Sequence, residues 1–316
     1  MNLTWRLWRT LREPPLTAHA VYKRTVTGQT IQLRYQIPQR WLAIAAAPVL
    51  LLLVLQHGVL SLLMMVFIVP ALGVLAFLLL PVLLPPFTAV IGGFWAASIS
   101  GALVKERNDH TYDLLCVTPS GTLAANWAVA SGCLHRGDIF DSLRSAVYVA
   151  LMIGGFLLGL MALVTAFMAM RATPAQSLVV AVRTIVDLMM LLGLFYLHYV
   201  QSMVLSALVG VYAPAVFENR SDTPWLAFAL FEIIQFSSYI GFLLLHVVFD
   251  PLLSTIRPDQ WLAFVTVPLL YLLAFIVLRE AIVMWLWQVV NNRLNITPGD
   301  EAATIQVMQP EFRQGV

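Results

Sequence analysis

Trp41 to Val104 reads WLAIAAAPVLLLLVLQHGVLSLLMMVFIVPALGVLAFLLLPVLLPPFTAVIGGFWAASISGALV, 64 residues without one Asp, Glu, Lys or Arg. A polar run, Lys105 to His110, follows at once. A hydrocarbon core about 30 Å thick is crossed by about 20 apolar residues in a helix, so the block holds two long spans or three short ones. Its apolar residues are continuous, whereas barrel strands alternate in segments of about ten. The whole chain has 316 residues, 60% hydrophobic and 11% charged, against about 25% charged in soluble domains. The expectation is an all-α integral membrane protein.

Charge decides between two spans and three. Residues 1–40 carry seven cations (Arg6, Arg9, Arg12, Lys23, Arg24, Arg34, Arg40) against one acid, Glu13. That bias places the N-terminus in the cytoplasm. Two spans, 42–66 and 72–103, keep the polar run on the same side; three would export it. Pro70, Pro81, Pro85 and Pro86 make the second span irregular, which membrane helices tolerate where neighbours satisfy the freed backbone groups. Gly92, Gly93, Ser98, Ser100 and Gly101 suit close helix contact. Four further spans are expected at 145–169, 178–215, 225–249 and 261–278, making a six-transmembrane-helix bundle in the plasma membrane with both termini cytoplasmic. Fourteen cations then lie inside and three outside (Arg171, Arg183, Arg257), with Arg279 near the inner end of the last span. The chain divides into an N-terminal segment 1–40, spans 1 and 2 in 41–104, a polar loop 105–142, spans 3 to 6 in 143–290, and a tail 291–316.

Residues 2–12 place Leu3, Leu7, Trp8 and Leu11 on one helical face and Arg6, Arg9 and Arg12 on the other. Such a basic amphipathic helix suits the headgroup region of the bilayer; a solvated tail is the plainer alternative. From Tyr22 to Ile37 a strand-like alternation over 31–37 competes with a second interfacial helix, and the element type stays open. Ala124 to Leu134 is apolar but too short to span, so it is expected to lie at the interface or to re-enter. Trp285 and Trp287 read as an interfacial belt extending the last helix.

The polar run continues as Lys-Glu-Arg-Asn-Asp-His-Thr-Tyr-Asp-Leu-Leu-Cys-Val-Thr-Pro, Lys105 to Pro119. Glu106-Arg107, Thr111, Asp113-Leu114-Leu115 and Thr118-Pro119 resemble the signature that follows the second membrane helix in type-2 ABC exporter permeases. One position departs: the family usually has Gly before the Thr, where this chain has His110. The resemblance is specific over about fifteen residues and otherwise rests on span order. It implies a short cytoplasmic helix over 111–118 that docks on a separate ATPase subunit, with these eight residues forming or orienting the contact. It also implies a second copy of the chain, or a homologous permease, completing the path. ATP and Mg would be bound by the partner; no cofactor is expected in this chain, and no nucleic-acid partner.

No Gly-x-x-x-x-Gly-Lys-Ser/Thr phosphate loop occurs, and no Ser/His/Asp set has a strand–turn–helix context. Intramembrane charges are costly and suggest function. Asp187, Glu232 and Arg279 are candidates for a polar translocation path, with Glu232 pairing with Arg279 across the bundle; snorkelling ends and one structural pair are the plainer account. His110, Cys116, Cys133 and His135 are zinc-compatible in type but match no standard spacing. His57, His198 and His246 lie in or beside spans, where hydrogen-bonded core histidines are commoner than haem ligands. The chain reads as the permease subunit of an ATP-driven exporter. The alternative is a non-transporting assembly subunit of a larger membrane complex.

Overall fold

The computed structural model describes residues 3–12, 20–27, 86, 88–112, 121–136, 138–169, 174–217, 221–254 and 261–296. Thr27 apart, they belong to one compact unit made of 1–26 with 84–316. Every regular element among them is an α-helix. In chain order these are α1 (Leu3–Arg12), α2 (Ala20–Thr27), α3 (Thr88–Asn108), α4 (Gly121–Leu134), α5 (Asp138–Ala169), α6 (Pro174–Val216), α7 (Thr223–Ser254) and α8 (Trp261–Arg293). Among the described residues four stretches are long and apolar enough to cross a membrane: Thr88–Asn108, Ile185–Val216, Thr223–Phe249 and Thr266–Arg293. They mark a membrane protein.

Helix α6 is the centre of the unit, touching α1, α4, α5, α7 and α8. Its 195–213 stretch is buried nearly all round, including Met203, Val204, Leu205 and Leu208, as a helix without a polar face must be. Gly210 lets α3 come close: a Cβ there would stand 2.7 Å from Cβ of Ile99 and 3.0 Å from the carbonyl oxygen of Ala96. At Gly92 a Cβ would run into the ring of Phe231 on α7. Glycines are therefore the points of close approach, Gly210 of α6 where it meets α3 and Gly92 of α3 where it meets α7. Thr88 meets His198 and Arg107 meets Pro214, so α3 and α6 run parallel. Gln235 meets Ser202 and Tyr239 meets His198, while Gln235 meets Arg279 and Phe242 meets Phe275, so α7 runs antiparallel to α6 and to α8.

Several expected boundaries move. Helix α8 continues past 278 to Arg293, so Trp287 is buried edge-on to Trp127 of α4 (6.1 Å) while Trp285 stays exposed. Helix α5 begins at Asp138, inside the expected polar loop. Ala20–Thr27 is helical, which settles the first part of the open 22–37 segment; 28–37 lie outside the described residues, as does the span 42–66. Helix α4 is not laid flat on a surface: Leu123 to Leu134 are all buried. It packs against α1 and α6, and the indole N–H of Trp127 donates to Thr10 Oγ1 of α1 at 2.8 Å. In α1, Leu7, Trp8 and Leu11 are buried, whereas Trp5, Arg6 and Arg9 face outward.

The long helices change character along their length. On α5, Phe140, Leu143 and Val147 are buried, but Met152, Phe156, Leu160, Leu163 and Phe167 are exposed. On α7, Ala227, Phe231 and Gln235 are buried, but Leu243, Leu244, Val247 and Val248 are exposed. On α8 the exposed Leu269, Leu270 and Leu273 precede the buried Val283, Leu286 and Val290. The unit thus has a packed half and an open half, and Arg279 lies where they meet.

Candidate coupling segment and buried polar cluster

Helix α3 ends in a Schellman turn. The N–H of Thr111 bonds the Glu106 carbonyl (3.1 Å) and that of His110 bonds the Arg107 carbonyl (3.2 Å), with His110 left-handed at φ 53°. Glycine is the usual residue at this position because a Cβ is strained there. Histidine is among the side chains that reach it more readily than most. Helix α8 ends the same way, with Asn295 at φ 52°.

The turn fixes the polar residues at the end of α3. The Thr111 hydroxyl donates to the Glu106 carboxylate, whose other oxygen lies 3.4 Å from the Arg24 guanidinium of α2. Arg107 Nη1 donates to the Pro214 carbonyl in the last turn of α6, where carbonyls lack helical partners and a cation is favoured. The same guanidinium lies over the Tyr112 ring at 4.7 Å. The Tyr112 hydroxyl accepts from Asn126 Nδ2 of α4 at 3.0 Å. Residues 106–112 therefore tie together α2, α3, α4 and α6. Asp113, Leu114, Leu115, Thr118 and Pro119, with 113–118 of the helix expected over 111–118, lie outside the described residues, as does Cys116.

A second polar cluster lies deep between α6, α7 and α8. Arg279 is fully buried, at 0% exposure. Its guanidinium donates to His198 Nδ1 (2.9 Å), Ser202 Oγ (3.1 Å) and Gln235 Oε1 (2.9 Å). A guanidinium only donates, so His198 Nδ1 carries the lone pair and the ring is neutral, with its proton on Nε2. That nitrogen lies 2.8 Å from Thr88 Oγ1 and 3.1 Å from the Tyr239 hydroxyl. Gln235 Nε2 donates to Ser202 and to Tyr239, which closes the ring of contacts.

The expected pairing of Glu232 with Arg279 is not formed. Every hydrogen-bond partner of Arg279 above is neutral. Glu232 Oε1 is buried against Gly93 of α3, without a hydrogen-bond partner among the described residues. Glu232 lies one turn from Gln235 and about 60° round α7, where it stands against Gly93 of α3, and Gln235 is the residue that reaches Arg279. Adjacent residues on a helix diverge by about 100°, and Glu280 accordingly turns away from its neighbour Arg279 to accept the N–H of Thr4 at the start of α1 (3.2 Å). Asp187 forms an exposed i,i+4 pair with Arg183 at 3.7 Å. The three candidate path residues therefore do not converge.

His198, Ser202, Gln235 and Tyr239 were not singled out from sequence as partners of Arg279. The signal available was polar groups at i,i+4 on each helix, 198 with 202 and 235 with 239, inside apolar runs. His246 instead stands edge-on to Tyr271 at 4.8 Å. Cys133 is a buried free thiol whose pKa burial pushes up to about 12. Among the described residues no three His, Cys, Asp or Glu side chains group as metal ligands. No protein-family model, no curated protein and no solved structure matches this chain.

Proposed function

We propose that the chain is the membrane subunit of an ATP-driven exporter and that residues 106–119 take up the movement of a separate ATPase. The run Glu106-Arg107, Thr111, Asp113-Leu114-Leu115, Thr118-Pro119 carries this reading. Two features of its first half support it. The position at which the family's usual Gly is replaced by His110 is left-handed, so the departure keeps the backbone turn. Arg107 and Glu106 are bonded to α6, α2 and Thr111, so a push on the segment is passed to α6 as a rigid element, and bodily motion of packed helices is how many transporters alternate access.

In this reading the bundle has six spans, two of them within 41–104, with both termini cytoplasmic and a second copy or homologue completing the path. The open half faces lipid through Leu243, Leu244, Val247 and Val248 of α7.

Purification of the tagged chain in mild detergent, followed by mass spectrometry of what accompanies it, tests the proposal. A soluble ATPase is expected with the wild type and is expected to be lost in Asp113→Ala and Glu106→Ala chains that still elute as folded protein. Recovery of other membrane subunits with no nucleotide-binding chain would overturn it and favour an assembly subunit.

A further inference from the structure

We infer that Arg279, together with His198, Ser202, Gln235 and Tyr239, forms a receptor for an oxyanion, a phosphate or carboxylate group, held at the junction of the packed and open halves.

The first argument is charge. Removing a cation from water is expensive unless an opposite charge or full hydrogen bonding compensates. Here the cation is completely buried, its hydrogen-bond partners, Tyr239 among them, are all neutral, the Phe275 ring faces it at 5.6 Å, and its Nε has no acceptor among the described residues. The nearby acids are directed elsewhere, Glu232 toward Gly93 and Glu280 onto Thr4. A buried guanidinium presents donors in a planar fork that matches the two oxygens of a carboxylate or phosphate.

The second argument is the chemistry of the surrounding groups. The Ser202 and Tyr239 hydroxyls and the Gln235 amide can each donate as well as accept, and the Nε2–H of His198 donates. An arriving oxyanion would displace an accepting partner from the guanidinium, and these groups could turn their own N–H or O–H toward it. The site could then satisfy an anion without adding a second charge.

The third argument is depth. Arg279 stands at the level of α1: Thr4 bonds Glu280, Trp5 meets Tyr196, and Trp8 meets Tyr199, one residue from His198. On its outer face α1 presents Trp5, Arg6 and Arg9. Trp with Arg on a short amphipathic helix fits the headgroup layer. Within one turn of the cluster, Phe236 on α7 and Val277 on α8 are exposed and apolar. An acyl chain lying along those faces would bring its headgroup to the guanidinium, and a free anion would use the same donors.

The experiment uses the full chain in dodecyl maltoside and reads its thermal unfolding. The additions are phosphatidylglycerol, diacylglycerol with the same acyl chains, and inorganic phosphate. The expected result is a rise of about 5 °C with phosphatidylglycerol or with phosphate, and none with diacylglycerol. A response to phosphatidylglycerol alone assigns the ligand to lipid; a response to phosphate assigns it to a free anion. Arg279→Met is expected to fold, because the His198–Tyr239 and Gln235–Ser202 bonds survive it, and to lose the shift. Arg279→Gln, which keeps donors and bulk, provides the same test should the Met variant fail to fold. Replacing Arg6 and Arg9 by Ala should leave the shift in place. Absence of a shift with either anion, or a shift undiminished in the Arg279 variants, would overturn the proposal. The readout needs no ATPase, so it stands or falls separately from the exporter reading.

Discussion

The two halves of α7 have nearly the same composition and opposite surroundings. Before Gln235, Ala227 and Phe231 are buried, with Gly92 of α3 making room for the Phe231 ring, while Trp225 and Ile233 face outward. Beyond Tyr239, Leu243, Leu244, Val247 and Val248 are exposed. Helices α5 and α8 repeat the contrast on the same sides of the Arg279 level. Apolarity alone therefore does not say whether a side chain is held by protein or left to lipid; packing partners do. The packed half has its partners built in by small residues and by α1 and α4.

The contrast can be broken most severely at Phe231. Phe231→Ala should cost about 4 kcal/mol of stability through transfer and cavity terms. Ile240→Ala in the open half should cost no more than about 0.5 kcal/mol. Thermal unfolding in one detergent compares the two, and equal losses would show that the halves do not differ in packing.

Glycines sharpen the same comparison with a smaller effect. Gly210→Ala forces a Cβ into Ile99 and the Ala96 carbonyl and should cost about 2 kcal/mol. Gly159 of α5 has nothing within 4 Å of an added Cβ, so Gly159→Ala should be neutral or stabilising by up to about 1 kcal/mol, the helix-propensity difference.

Cys133 reports on the packed half through pH. Its thiol is buried and pushed up to about 12 from an ordinary 9.0. A raised acid favours the folded state while it stays protonated in both states, so this contribution is complete below about pH 9 and fades as pH climbs toward about 12. In a Cys116→Ser background, maleimide at pH 8 should label the folded chain hardly at all and the denatured chain fully. Fast labelling of the folded chain would mean that the contact between Cys133 of α4 and the Ser98 carbonyl of α3 opens readily.

The smallest effect is expected at His110. His110→Gly should stabilise the α3 turn by up to about 1 kcal/mol and His110→Val should destabilise it by a similar amount. Both are read as shifts in unfolding temperature with co-purifying partners unchanged.

How much of this was legible in sequence depends on how local the determinant is. The long helices were legible because continuous apolar runs report themselves one residue at a time. Helix α4 was legible as a short apolar piece but not as a core element. The clue was that Leu123–Leu134 has no polar face, which a helix lying on a surface would need. Arg279 was visible as an anomaly, and the nearest-looking acid, Glu232, was the wrong partner because it stands one turn away on α7, against Gly93 of α3. The true partners, His198, Ser202 and Gln235, come from two other helices and are neutral, so no charge rule selects them. At the end of α3 the order of residues was legible, whereas the left-handed backbone at His110 depends on the turn that encloses it.

The most direct test of the two-halves account is a nitroxide scan along α7 in liposomes, with labels at 231, 240, 244 and 248 on a chain with both cysteines replaced. The account predicts that 240, 244 and 248 are relaxed by dissolved oxygen and protected from a water-soluble nickel chelate, and that 231 is shielded from both. Relaxation of 240, 244 and 248 by the chelate would place the open half in water and contradict the assignment on which the membrane reading rests.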